Sequence, residues 1–198
     1  MTTTFFLVRH AAHDRVGTVL CGRMPGVTLG EEGKAQARAL AERLAQEDIA
    51  CIRTSPLERA VETAAPIAHR LGKPAEPCDD ITEIDFGSWS GLALGELSDD
   101  PHWHMWNRSR NTSRPPNGET MREAQLRIVR AMDRLRTPHA EKAVVLVSHG
   151  DVIKAALLHH LGMPIDSYGR IEISPASIST VVVGDWGAKV IRMNEVVA

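Results

Sequence analysis

Near the amino terminus, the apolar run Phe5-Phe6-Leu7-Val8 passes without transition into Arg9-His10. A run this short is below helical length, and one this apolar does not suit a surface, so it reads as a strand covered on both faces. The polar pair then stands at the strand's carboxyl end. In an open α/β sheet that edge is where the departing connections splay apart and leave a crevice for a ligand. A second run, Ala143-Val144-Val145-Leu146-Val147, ends the same way in Ser148-His149-Gly150. Two buried strands that both end in a histidine constrain the fold strongly, because each must be roofed by helices while its tip stays open.

The stretches between them supply those helices. Ala12 to Val27, with Gly17, Gly22, Pro25 and Gly26, fits neither helix nor strand and reads as a loop carrying His13, Arg15 and Arg23. Thr28-x-x-Glu31 has the form of a capping box, which predicts a helix from Thr28 to near Gln46 with Ala37, Leu40, Ala41 and Leu44 on its buried face. Ile49 to Ile52 makes a second short strand. Ser55 then suits an N-cap, Pro56 the first helical position and Glu58 the third residue of a capping box, with Gly72 as the stop. That start places Arg59 between a strand's carboxyl end and a helix amino terminus, two settings that favour a bound anion.

Pro74 and Pro77 bracket a weak third strand, and residues 81–91 form a glycine-punctuated loop with two carboxylates, Glu83 and Asp85. Residues 98–119, rich in proline and carrying Arg108, Arg110 and Arg114, are expected to be an irregular lid insertion over the site. A helix follows Thr120 and another spans Val152 to Leu161. Ile178 to Val183 and Lys189 to Met193 make two last strands joined by an Asp185-Trp186-Gly187 turn, so one of them runs antiparallel. The expected architecture is one α/β domain over residues 1–198: a three-layer sandwich, its sheet mostly parallel with an antiparallel edge strand, with helices on both faces.

Composition narrows the function classes. The 23 basic and 25 acidic residues nearly balance, so neither a nucleic-acid partner nor an acidic tail is expected, and any anion site must be local. Cys21, Cys51 and Cys78 are odd in number and contain no C-x-x-C pair, which fits a reducing cytoplasm better than a disulfide scaffold. No apolar run reaches membrane-spanning length, and Met1-Thr2-Thr3-Thr4 lacks the basic region of a signal peptide, so no membrane partner is expected. His102-Trp103-His104 and His159-His160 lack acidic or cysteine partners at defined spacing, so no metal and no cofactor are expected. An edge strand or an exposed helix would suit a homodimer.

Five segments in order carry a resemblance: Leu7-Val8-Arg9-His10, Gly22-Arg23, Ser55 to Thr63, Glu83 to Trp89, and Ser148-His149-Gly150. Together they resemble the histidine phosphatase superfamily, also called phosphoglycerate-mutase-like, over nearly the whole chain. The resemblance implies that His10 is the nucleophile that becomes phosphorylated, that Arg9, Arg59 and His149 hold the phosphoryl group, and that Glu83 is the proton donor. Spacing alone does not separate Glu83 from Asp85; the resembled motif favours Glu83. His13 and Arg23 are further candidates to contact the substrate from the first loop. The expected reaction is metal-independent hydrolysis of a small phosphate monoester through a phosphohistidine, with a phosphomutase or a non-catalytic phospho-ligand binder as alternatives.

Elementary chemistry agrees with those roles. A phosphate monoester dianion must be neutralised before attack, and guanidinium forks match phosphate oxygens bidentately. The same positive charge disfavours protonation of His10, and only a neutral imidazole is a nucleophile. Three departures from the family pattern stand out. Ala11 replaces a usual glycine and is expected to narrow the pocket. His13 replaces a common serine or threonine, with a frequent asparagine lost near Val16. Ser90 replaces a frequent glutamate.

Overall fold

The helices take their places because the strands offer them two apolar faces. In the computed structural model, which describes residues 1–197, strand β1 (Thr2–Arg9) turns Phe5 and Leu7 to one face and Phe6 and Val8 to the other. Strand β4 (Ala143–Ser148) does the same with Val144 and Leu146 against Val145 and Val147, and every one of its residues is buried. Helices α1 (Glu31–Leu44) and α2 (Glu58–Leu71) pack Leu40, Leu44, Ala60, Ala64 and Ile67 onto the Phe6 face. Helices α5 (Met121–Arg136) and α6 (Gly150–His160) pack Ile128, Met132, Ile153 and Leu157 onto the Phe5 face.

One six-stranded sheet results, in the order β3-β2-β4-β1-β5-β6, with β2 at Ile49–Thr54, β3 at Ala75–Pro77, β5 at Ser177–Gly184 and β6 at Gly187–Val196. Strands β3, β2, β4 and β1 are mutually parallel. The expected α/β sandwich is therefore present, with one refinement to its edge. The strand that runs against the rest is β5, paired antiparallel with β1, while the edge strand β6 turns back again and follows the direction of β1.

The carboxyl ends of β1 and β4 lie side by side, Arg9 opposite Ser148, and β2 ends beside β4 with Thr54 opposite Val147. That register brings three chemically loaded tips to one edge of the sheet. Ordinary turn signals hold the frame around them: Thr120 and Glu123 close a reciprocal capping box at the start of α5, and Gly72 ends α2 at φ 63°, the left-handed conformation glycine tolerates.

Two expected helix starts are wrong, for the same reason. Helix α1 begins at Glu31 rather than Thr28 and has no side-chain cap. Residues 28–30 stay extended because the Leu29 N–H donates to Glu62 Oε2 at 2.7 Å and the Gly30 N–H to the Ala12 carbonyl at 3.2 Å. Gly33 presses on that same carbonyl so closely that a Cβ would collide with it. Helix α2 begins at Glu58 rather than at Ser55, again without a side-chain cap. Glu58 accepts from the Gly26 N–H at 3.0 Å instead of closing a box, and the Ser55 hydroxyl accepts from the Leu57 N–H at 3.3 Å while also meeting His149. In both places tertiary hydrogen bonds hold residues of the expected first turn.

Residues 98–119, expected as an irregular lid, contain helix α4 (Pro101–Arg108), preceded by the single turn α3 (Leu94–Leu97). Asp100 caps α4 by accepting from the His102 N–H at 2.8 Å and also takes the Trp89 indole N–H at 3.1 Å. Trp106 anchors the segment, fully buried and edge-on to Phe86. The segment's arginines do not form a basic roof. Arg110 points inward to Asp151, and Arg114 binds the Gly118 carbonyl and Glu123.

Candidate active site

His10 sits just past β1 with its backbone N–H bound to the Ser148 carbonyl at 2.9 Å, so the two histidine-bearing tips are stitched together. Its ring Nδ1 lies 2.9 Å from the Ala11 carbonyl. A carbonyl only accepts, so Nδ1 carries the proton and Nε2 keeps its lone pair for the cavity. Burial, then the charges of Arg59 and Arg9, holds the His10 pKa well below the usual imidazole value. The ring is held neutral across physiological pH.

Arg59 reaches in from the first turn of α2. Its Nη2 donates to the Gly22 carbonyl at 2.7 Å and lies 3.2 Å from His149 Nδ1, while Nε and Nη1 are buried with no partner. Arg9 donates from Nη1 to the Ile173 carbonyl at 2.6 Å, and its Nε is likewise buried and unpartnered. Burial lowers the pKa of both guanidinium groups. Desolvated donors left unpaired are costly, so two cations with spare N–H groups on one cavity wall form a seat for an anion.

His149 follows the last residue of β4 and is fully buried; its ring makes no capping bond to α6. It stands 5.1 Å from the His10 ring, centroid to centroid, and burial with the neighbouring cations holds it neutral. Its Nε2 is 2.8 Å from Ser55 Oγ, which also accepts from the Leu57 N–H. Arg59 Nη2 can only donate, so His149 Nδ1 accepts from it, and Nε2 carries the proton and donates to Ser55 Oγ; His149 braces Arg59 and is not itself among the residues that line the cavity.

Glu83 comes from the 81–91 loop, with Oε1 accepting the Ile84 N–H at 2.8 Å and Oε2 3.8 Å from His149 Nδ1. Burial, reinforced by the charge of Asp151 and opposed by Arg59, pushes its pKa up to about 7. A carboxyl group at that value can both give and take a proton near neutral pH. Asp85, its rival in the sequence, is turned away to accept the Gly87 N–H at 2.8 Å and approaches Arg23 at 3.8 Å.

Arg9, His10, Arg59 and Glu83 line one cavity of about 280 Å³, together with His13, Gly22, Asp151, Lys154 and Glu172. The family model described as histidine phosphatase superfamily (branch 1) matches residues 5–196. The chain belongs to this superfamily. Among its relatives are a 2,3-bisphosphoglycerate-dependent phosphoglycerate mutase of Brucella melitensis, 32% identical with 88% of this chain and 89% of that protein covered. Phosphoserine phosphatase 1 of Hydrogenobacter thermophilus is 28% identical, covering 95% and 90%. A mycobacterial glucosyl-3-phosphoglycerate phosphatase solved with VO3 superposes with a TM-score of 0.85 at 26% identity, covering 97% of this chain and 98% of that one.

Not every residue expected at the site of this histidine phosphatase relative reaches it. His13 does: its ring stacks on His10 at 5.4 Å, and burial with the arginine charges lowers its pKa to about 4. Arg23 does not line the cavity. It is drawn outward by Glu119 at 3.1 Å and donates from Nε to the Glu83 carbonyl at 2.8 Å, so it steadies the loop that carries Glu83. Ala11 does not narrow the pocket either; its methyl packs in the core beside Val8 and Leu29, while its N–H donates to Thr63 Oγ1 at 2.9 Å. Asp151 and Lys154 were passed over in the sequence. Their signal was positional, since residues one and four places after Gly150 share its exposed end of α6.

Proposed function

We propose that this protein is a metal-independent phosphatase that hydrolyses small phosphate monoesters through a phosphohistidine on His10. The observation that carries this reading is the pair of buried guanidinium groups, Arg9 and Arg59, holding unpartnered N–H groups beside a neutral imidazole. The arginines neutralise the phosphoryl oxygens, supplying electrostatically what a metal ion supplies elsewhere. Among the described residues, no three His, Cys, Asp or Glu side chains converge in a way that could hold a metal ion.

In the first step His10 Nε2 attacks phosphorus, the bond from phosphorus to the alcohol oxygen breaks, and protonated Glu83 gives its proton to that oxygen. In the second step Glu83, now a carboxylate, takes a proton from water as the water oxygen attacks phosphorus. The N–P bond breaks, inorganic phosphate leaves, and His10 and Glu83 return to their starting protonation states. His149 orients the Arg59 guanidinium through Nδ1, with Ser55 steadying its other nitrogen.

The Brucella relative keeps a mutase reading in view, because transfer back to the product uses the same first step. Hydrolysis is favoured by the rim of the cavity, where Glu172 is exposed and the arginines of residues 98–119 supply no closing roof. A panel of phosphate monoesters, assayed for phosphate release with and without a chelator and for phosphoglycerate isomerisation, tests the proposal. Chelator-resistant phosphate release supports it. Isomerisation without release, or activity lost to the chelator, overturns it.

A further inference from the structure

The segment that carries Glu83 has no regular structure of its own: residues 82–86 belong to neither helix nor strand. Its carboxyl is nonetheless fixed to the local backbone, because Oε1 accepts the N–H of the next residue, Ile84, at 2.8 Å. Where the backbone goes, the carboxyl follows. What holds that backbone comes from the end of the 98–119 segment and from α5. The Glu119 N–H donates to the Asp85 carbonyl at 2.7 Å, the Ser88 N–H donates to the Pro116 carbonyl at 2.9 Å, and a Cβ on Gly87 or Gly118 would collide with the opposite backbone. Arg127 of α5 then grips the Glu119 carboxylate as a fork, from Nε at 2.8 Å and from Nη2 at 2.9 Å. The same guanidinium donates from Nη1 to the Asp80 carbonyl at 2.9 Å and from Nη2 to the Glu83 carbonyl at 3.2 Å, while Glu119 Oε2 accepts the Asp85 N–H at 3.3 Å.

Resting on the phosphatase reading, we propose that Glu119 and Arg127 are positioning residues for Glu83: the pair clamps the backbone before, at and after it, and so holds the carboxyl at the leaving oxygen. Neither is among the residues that line the cavity, so both act through Glu83 and not on the substrate. The pair is largely buried, and all three nitrogens of the Arg127 guanidinium are engaged. A buried ion pair is a weak source of stability, but a planar fork fixes direction as well as distance, which is what an otherwise irregular loop lacks. Arg23 reaches the same Glu83 carbonyl from the exposed side, where water can replace it. The end of the 98–119 segment is on this account a brace for the proton donor.

The leaving group separates a misplaced acid from a damaged phosphoryl seat. An alkoxide must be protonated as it departs, whereas p-nitrophenolate leaves without a proton. The experiment measures kcat/KM for p-nitrophenyl phosphate and for the best alkyl phosphate of the substrate panel, with inhibition by inorganic phosphate as the report on Arg9, Arg59 and His10. The wild type is compared with Glu83→Gln, Arg127→Met and Glu119→Gln, the last of which keeps an acceptor for the Asp85 N–H. Arg127→Met is expected to lower kcat/KM for the alkyl phosphate by about 10–100-fold and for p-nitrophenyl phosphate by no more than about threefold, with phosphate inhibition unchanged within about threefold. Glu119→Gln should show the same selectivity with a smaller loss, and Glu83→Gln the same selectivity with a larger one. Equal losses on both compounds in Arg127→Met and Glu119→Gln, weakened phosphate inhibition, or no loss at all, beside a selective Glu83→Gln, overturns the clamp and leaves the phosphatase reading intact. A Glu83→Gln that loses equally on both compounds, or a wild type that hydrolyses no monoester, overturns the reading on which the clamp rests.

Discussion

The inner and outer ends of the cavity are built on opposite principles. The inner end rests on strand tips: His10 after β1 and Arg59 just beyond β2 line it, and His149 after β4 holds Arg59 in place, each fixed by backbone pairing or by a buried hydrogen bond. The outer end is made from the 13–22 loop, the exposed face of α6 and the Glu172 rim, with few ties between its members. The inner end also pays for its order, since it confines two cations and a carboxyl group that water would solvate better. The lesson is a division of labour. On the proposed reading, phosphoryl chemistry is fixed by the sheet, and the choice of alcohol is left to elements that can change without disturbing it.

The sharpest break between the two ends should come at His10. Replacing it with alanine removes the proposed nucleophile and should lower phosphate release by about 10³-fold or more, whatever the substrate. Loss of activity on one alcohol alone would place the chemistry outside the inner end.

Glu83→Gln should cost roughly 10²–10⁴-fold in kcat, measured by steady-state kinetics. With the Glu83 pKa at about 7 and His10 held well below 6.5, the wild-type rate should stay level on the acid side of neutrality and fall above pH 7 as the proposed proton donor ionises. Stability follows the same group. Its folded pKa is raised from 4.5, so its contribution is fully present below that value and is lost as pH rises through about 7. Thermal unfolding should therefore show Glu83→Gln gaining on the wild type by roughly 1–3 kcal/mol above pH 7 and not below pH 5.

Ser55→Ala tests a positioning residue. Losing the hydroxyl leaves His149 Nε2 unpartnered in a buried setting and should lower kcat about tenfold with KM little changed. Ser55→Thr, which restores a hydroxyl, should recover most of the loss. The smallest effect is expected at Arg23, outside the cavity. Arg23→Gln removes partly exposed contacts to Glu119 and the Glu83 carbonyl and should alter kcat/KM by no more than about threefold.

What the sequence could disclose follows the same division. Phe5 to Val8 and Ala143 to Val147 are legible because a buried strand must be apolar along its length, and the polar residue that ends it is then conspicuous. His10, Arg59, Glu83 and His149 were located from these tips together with the resembled motifs. Ser55 does not start the helix, because its hydroxyl bonds the Leu57 N–H as well as His149, and nothing local records the distant partner. The same competition misplaced the start of α1, where Leu29 and Gly30 are held by residues from α2 and the first loop. Arg23 and Lys154 show the limit of reading the outer end: one cation in a loop turns away to Glu119, another on a helix faces the cavity, and only the folded chain distinguishes them.

The central claim is that the phosphoryl group passes through His10. Rapid acid-free quenching of the protein during turnover of a 32P-labelled monoester, followed by peptide mapping, tests it most directly. The prediction is a transient label that is stable to alkali, labile to acid and located on His10, and absent from His10→Ala. Steady turnover with no label on the protein, or a label on any other residue, would contradict it.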